Sequence, residues 1–271
     1  MQMLHEEVVQ WTEDFKFPGA RKTVEVDAKS FNAWVHENWP LIDSFPVCQD
    51  QKKSFSQAIN IDEKHKFIVK TFSKMETYNP YAEMCGGFIP MQLIPRGSDQ
   101  KRRRHFDIFN ASSRASVIFK GTPIVPILFK NTSFDGWQPI MSITPMEIMT
   151  LRPLVRKAKG RVLIGGLGLG YLTRKVLQRK KVKEVVVVEQ NEHLIAFFGK
   201  FLLDEFGDRV KIIKGDMYTH PWGDFDVALW DIWDGIADAP WDRKFQQIKQ
   251  SMHGVGKSCI GWTDWASRRY S

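Results

Sequence analysis

The sequence predicts an α/β fold with a doubly wound, mostly parallel sheet, and three observations carry that prediction. Arg161-Val-Leu-Ile-Gly-Gly-Leu-Gly-Leu-Gly170 reads as a buried strand that breaks into a glycine turn. Val185-Val-Val-Val-Glu189 follows as a second buried strand, ending on a carboxylate. Two more strands, Val210–Ile213 and Phe225–Trp230, close in the same way on Asp216 and Asp231. Continuous apolar strands alternating with helical stretches are the pattern of a parallel sheet buried on both faces.

Each element follows from local chemistry. Thr144-Pro-Met-Glu147 is a capping box with proline at the first helical position, so a helix starts there and runs to Lys159, where Gly160 stops it. Strand Val162–Ile164 leads into the glycine turn, and a basic helix spans about Tyr171–Lys180. Strand Val185–Val188 gives way to a helix over about Asn191–Phe206, which Gly207 ends. After the third and fourth strands come a helix near Trp241–Met252 and a strand near Ser258–Trp262. Upstream, Phe31–Trp39 has helical spacing and Pro40 stops it. Ala115–Phe119 and Ile124–Phe129 read as short strands, with Pro126 confining the second to an edge or a bulge. Turn residues at Phe134-Asp-Gly-Trp137 mark a boundary between an α+β region, residues 1–135, and the parallel-sheet domain, residues 136–271.

Composition bounds the class. With 43% apolar and 26% charged residues, the 271-residue chain is that of an ordinary globular protein. No apolar run approaches the roughly 20 residues that span a bilayer, and Met1-Gln-Met-Leu-His-Glu-Glu7 has no signal-peptide character. Three widely spaced cysteines argue against disulfides or zinc, so a cytoplasmic setting without membrane contact is expected. The seven histidines show no pairing at helical spacing, and no metal is expected. The net charge of +8 is uneven: residues 136–271 hold 21 Lys/Arg against 15 Asp/Glu. That surplus points to an anionic partner, nucleic acid among them. Lys101-Arg-Arg-Arg104 beside His105-Phe106 is a second basic feature, read chiefly as a solvated loop.

The glycine spacing separates cofactor classes. Gly166, Gly168 and Gly170 form Gly-x-Gly-x-Gly, whereas a dinucleotide fingerprint wants its third small residue at the place held by Tyr171. The loop resembles motif I of the class I S-adenosylmethionine-dependent methyltransferases, which have a Rossmann-like sheet. The run from about Ile143 to Gly235 resembles their spermidine-synthase-like branch, and also proteins with a Gly-Leu-Gly-Leu-Gly loop and an Asp-Ile-Trp motif. The resemblance covers about a third of the chain and none of residues 1–135.

It implies S-adenosyl-L-methionine as cofactor and a methyl acceptor that the sequence does not name. Gly166, Gly168 and Gly170 would line the methionine and ribose portion, and Glu189 with Gln190 would hold the ribose hydroxyls. Asp216 would take the adenine amine, with the Met217 backbone beside it. Asp231 would be the catalytic residue, as base or orienting charge. On the substrate side stand Glu147, Trp233 and Asp234, although Glu147 is explained by its capping box and Trp233 equally by core packing.

Three departures from the family pattern stand out. Leu169 replaces the loop acid that faces the diamine in aminopropyltransferases, which counts against the alternative of aminopropyl transfer from decarboxylated S-adenosylmethionine. Ile164 or Gly165 stands where methyltransferases often carry an acid before the loop. The sheet should be shortened after its fifth strand, with residues 80–135 covering the edge or serving as a substrate lid or oligomerisation part. A second alternative is therefore a non-catalytic cofactor-binding or assembly protein, and an open sheet edge admits a homodimer.

Overall fold

The computed structural model describes residues 23–44, 59–60, 67–72, 77–78, 116–120, 124–132, 136–143, 145–221, 223–233, 242–262 and 264. The chain forms two compact units that interleave in sequence. The first takes residues 1–57, 71–126 and 144–148, and the second takes 58–70, 127–143 and 149–271.

In the first unit, β1 (Thr23–Asp27) runs into α1 (Ala28–Asn38). Asp27 caps the helix by accepting the Ser30 N–H at 2.8 Å. Ala28, Phe31, Trp34, Val35 and Asn38 form its buried stripe at helical spacing. A turn of 3-10 helix, Pro40–Ser44, follows where proline stops the α-helix. β2 (Ile59–Asn60) and β3 (Phe67–Phe72) come next along the chain and fall in the second unit up to Lys70, while β4 (Thr77–Tyr78) and β5 (Ser116–Lys120) return to the first. β1, β5 and β4 make a three-stranded sheet in that order, β1 parallel and β4 antiparallel to β5.

β6 (Val125–Thr132) and β7 (Gly136–Ser142) form an antiparallel pair in a four-stranded sheet of order β2-β3-β6-β7. β6 is thus an interior strand, contrary to the edge position that Pro126 suggested. Its ladder to β7 starts only at Ile127, after the proline, so the missing N–H interrupts none of those pairings. A bulge does occur, between Leu128 and Phe129.

The second unit holds the predicted parallel sheet. α2 (Pro145–Lys157) precedes β8 (Gly160–Gly165), and α3 (Tyr171–Leu177) links it to β9 (Val182–Glu189). α4 (Glu192–Leu194), a π-helical turn over Ile195–Gly199 and α5 (Lys200–Phe206) run on to β10 (Val210–Lys214). β11 (Val227–Trp230), α6 (Arg243–Gly254) and β12 (Ser258–Gly261) follow. The strand order is β10-β9-β8-β11-β12, and every pair is parallel. This is a Rossmann-like, doubly wound α/β sheet, and among the described residues it ends at β12.

β8 sits at its centre, with Val162 paired to Val185 on one side and Val227 on the other. Leu163, Val186, Val188, Ala228 and Trp230 cluster on one face with Phe245 and Met252 of α6. By alternation, Val162, Ile164, Val185, Val187 and Leu229 point to the other face, and all five are fully buried. Arg174 of α3 ties that layer to α5 through a bidentate pair with Glu205, Nε–Oε2 2.8 Å and Nη2–Oε1 2.8 Å.

Candidate functional site

The site is built where β8, β9, β10 and β11 end, because parallel strands of one sheet deliver their C-termini to the same edge. At that edge the chain leaves β8 through Gly166, Gly168 and Gly170, all with positive φ (88°, 49° and 75°). A main-chain atom leaves no room for a side chain at the first of these glycines, and a movable side chain stands against the second. A Cβ on Gly166 would collide with the Asp231 carbonyl oxygen, and one on Gly168 would land on Met141 Sδ. Gly165 has no room either, since its Cβ would stand 2.7 Å from Met217 Cγ. That accounts for the missing acid before the loop: Met217 fills the space such a side chain needs.

The three strand-terminal acids are brought together, each through its own contacts. The Glu189 carboxylate accepts the Leu167 N–H on Oε2 and the Asn191 N–H on Oε1, both at 2.8 Å. One side chain thereby joins the glycine loop to the turn after β9. A carboxylate has about four lone-pair sites, so acceptor capacity remains on both oxygens. Gln190 beside it is exposed. Asp216 closes a tight turn: its Oδ1 accepts the Tyr218 N–H at 2.8 Å and its carbonyl accepts the His220 N–H at 3.0 Å. Met217 is buried under this turn.

Asp231 is clamped through its backbone. Its N–H donates to the Gly165 carbonyl at 2.9 Å, and its own carbonyl lies against Gly166. The residue is partly buried, and desolvation of its carboxyl pushes it up to about 7. A carboxyl poised near neutrality at the end of a central strand can hold or release a proton at physiological pH.

Trp233 is an anchor of the aromatic core. Its ring stacks with Trp230 at 6.3 Å and meets Phe245 edge-on at 4.9 Å. Its Nε1–H donates to Asp242 Oδ2 at 3.0 Å, and the Tyr218 hydroxyl donates to the same oxygen. Asp242 Oδ1 caps α6 by accepting the Phe245 N–H at 2.9 Å. Burial opposes the Asp242 charge, but these three donors and the Lys244 N–H together outweigh it and hold the carboxyl below its ordinary value. One carboxylate thus links the turn behind Asp216, the segment behind Asp231 and a helix start. Glu147 is buried on the opening turn of α2 and falls in the first unit. Asp234 and the run 101–106 lie outside the described residues.

Sequence reasoning missed Met141, Tyr218 and Asp242. Asp242 had a signal, as a favoured cap residue just before a helix; Met141 and Tyr218 had none. Among the described residues no group of histidine, cysteine and acid side chains is arranged to hold a metal, and no helix is long and apolar enough to cross a membrane.

Fold and site together define a nucleotide-type α/β domain: a glycine loop on a central parallel strand, flanked by three acids. Among solved structures the chain is similar to a dimethyladenosine transferase from Plasmodium falciparum, at 24% identity over 38% of this chain and 37% of that one, with a TM-score of 0.31. It is also similar to the 23S rRNA methyltransferase ErmE (24% identity, 34% and 38% coverage, TM-score 0.28). A third is the SAH-bound methyltransferase PaMTH1 from Podospora anserina (23%, 32% and 41%, TM-score 0.27). These matches span well under half the length of either partner. No protein-family profile and no curated protein sequence matches the chain.

Proposed function

We propose that this chain is an S-adenosylmethionine-dependent methyltransferase, with its cofactor lying across the ends of β8 to β11. The observation that supports it best is that Glu189, Asp216 and Asp231 follow the ends of neighbouring parallel strands, beside a loop of three glycines that all hold positive φ. The residues suit a nucleoside bearing an amino-acid tail. Glu189 is held rigid by two backbone N–H groups and keeps lone pairs for both ribose hydroxyls. Asp216 would take the adenine amine, with Met217 beside it. When bound, the cofactor supplies an electrophilic methyl group on a sulfonium centre. Asp231 orients the acceptor and takes up its proton, a task that a carboxyl near 7 performs at neutral pH.

The order of glycine loop, Glu189, Gly215-Asp216 and Asp231-Ile-Trp233 extends the reading to the spermidine-synthase-like type. Aminopropyl transfer is disfavoured, because Leu169 is fully buried and offers no charge to a diamine. The positive surplus of residues 136–271 favours an anionic acceptor, nucleic acid among them. Ile213 is exposed on β10 at the end of the sheet, an edge that suits a homodimer.

Calorimetric titration with S-adenosylmethionine and S-adenosylhomocysteine tests the cofactor reading. Glu189→Ala should weaken binding by about 100-fold, the size of two hydrogen bonds to a charged acceptor. No binding by either protein would sink it, and equal binding by both would sink the role given to Glu189.

Asp231 also leaves a mark on stability. Its folded-state value, about 7, stands above the ordinary 3.8, so the native state binds this proton more tightly than the unfolded chain. That contribution is complete below about 3.8 and is lost as pH rises through 7. Asp231→Asn mimics the protonated form. In thermal melts its advantage over the wild type should therefore grow between pH 4 and pH 7 and then stay level. A constant offset at all pH values would refute the assigned desolvation of this carboxyl.

A further inference from the structure

The glycine loop meets a side chain from outside the parallel sheet. Met141, on β7 opposite Leu128 of β6, belongs to the same compact unit as the loop. Its Sδ accepts the Leu169 N–H at 3.0 Å. The rest of the side chain lies along Gly168, whose Cβ, if present, would be 3.3 Å from Met141 Cε and 3.5 Å from Cγ. The thioether therefore covers the part of the loop that the absence of a side chain leaves open.

The chemistry of this contact is uneven. A backbone N–H is a strong and obligatory donor, whereas a thioether sulfur is a weak acceptor. Three other loop N–H groups have oxygen partners: Gly166 donates to the Val188 carbonyl at 2.9 Å, Leu167 to Glu189 at 2.8 Å and Gly170 to the Leu167 carbonyl at 2.8 Å. Leu169 alone of these four is paired with sulfur. An unbranched side chain with three rotatable bonds can leave such a partner without disturbing the backbone. Met141 is also partly exposed, so it has somewhere to go.

We propose that Met141 is a displaceable cover of the glycine loop, holding the Leu169 N–H until an oxygen acceptor on the ligand replaces its sulfur. This rests on the cofactor reading above, because it takes the loop as the place where a nucleoside with an amino-acid tail is read. Met141 is then a positioning residue for ligand entry. It competes with the ligand, so removing its sulfur while keeping its bulk helps the ligand and harms the empty protein.

Met141→Leu supplies that change. Binding of S-adenosylhomocysteine should tighten by about three- to tenfold, the loss of one weak competing hydrogen bond. The melting temperature of the free variant should fall at the same time. A residue that merely packs on the ligand gives the opposite sign, weaker binding, and that result or an unchanged affinity overturns the proposal while wild-type binding upholds the cofactor reading. Absence of binding by wild type and variant alike overturns both. A second measurement does not depend on the variant's stability. With methyl-13C-methionine labelling, the Met141 signal, identified by its loss in Met141→Leu or Met141→Ile, should shift on addition of S-adenosylhomocysteine to the wild type. A signal that stays in place during saturating binding refutes displacement.

Discussion

Gly166→Ala should destabilise the protein by about 4 kcal/mol, as the sum of left-handed backbone strain and overpacking against a fixed main-chain atom. The residue holds φ at 88°, and its missing Cβ position coincides with the Asp231 carbonyl oxygen. Neither cost can be relaxed alone. Rotating the backbone out of the left-handed region breaks the bond from the Gly166 N–H to Val188, and moving Asp231 breaks its bond to Gly165. Urea unfolding would read the loss directly, and calorimetry should find no binding of S-adenosylhomocysteine in whatever folded fraction remains. Gly223→Ala is the control: it too has a positive φ, 40°, but only the Phe225 ring edge nearby, at 3.6 Å. It should cost about 1 kcal/mol, the strain without the collision. Similar losses for the two would show that the Gly166–Asp231 contact is not the cause.

The second large effect is expected at Asp242. Asp242→Ala removes a helix cap and the acceptor of two side-chain hydrogen bonds, for a total of about 3 kcal/mol. The folded carboxyl is held below 3.8, so its contribution is present above that value and lost as pH falls through the folded one. The gap between wild type and variant should therefore narrow in acid, which stability curves at pH 7 and pH 3 would reveal. Asp242→Asn separates the parts. It can still accept from Phe245, and its amide can donate to the Tyr218 hydroxyl, but it meets the Trp233 N–H donor to donor, so it should recover the cap and only part of the rest. Full recovery by asparagine would mean that the link to Trp233 carries no weight.

The middle of the parallel sheet was legible because β8, β9 and β11 are buried on both faces and so carry unbroken apolar runs. Val162–Ile164 and Val185–Val188 need no tertiary context to be recognised. Glu189 and Asp231 were legible for a related reason, since each is the first charge after such a run, whereas Asp216 follows Lys214 and was legible only from its place after the third strand. What escaped was whatever depends on contact between distant segments. Nothing around Met141 announces that its sulfur reaches Leu169, 28 positions away, and nothing around Pro126 announces that β6 is flanked by β3 and β7. Trp233 was half legible: an aromatic after a strand can line a site or fill a core, and the bond to Asp242 shows how it is anchored. The π-helical turn in the stretch 192–206 was also invisible, because a continuous helical pattern does not reveal one extra residue per turn.

The strand order bears on how the domain is made. β8 is synthesised first of the five yet ends in the middle, between β9 and β11. The closing contacts on its far side join Arg161 and Asp226, 65 positions apart, through the Arg161 N–H to Asp226 Oδ2 at 2.7 Å and the Asp226 N–H to the Arg161 carbonyl at 2.8 Å. A chain emerging from the ribosome can pair β8 with β9 and β10 early, but one side of β8 stays open until residue 230 has appeared. Such an edge of Val162, Leu163 and Ile164 is a template for pairing with other chains. The interval between β10 and β11 is therefore when this protein depends most on being shielded from its neighbours.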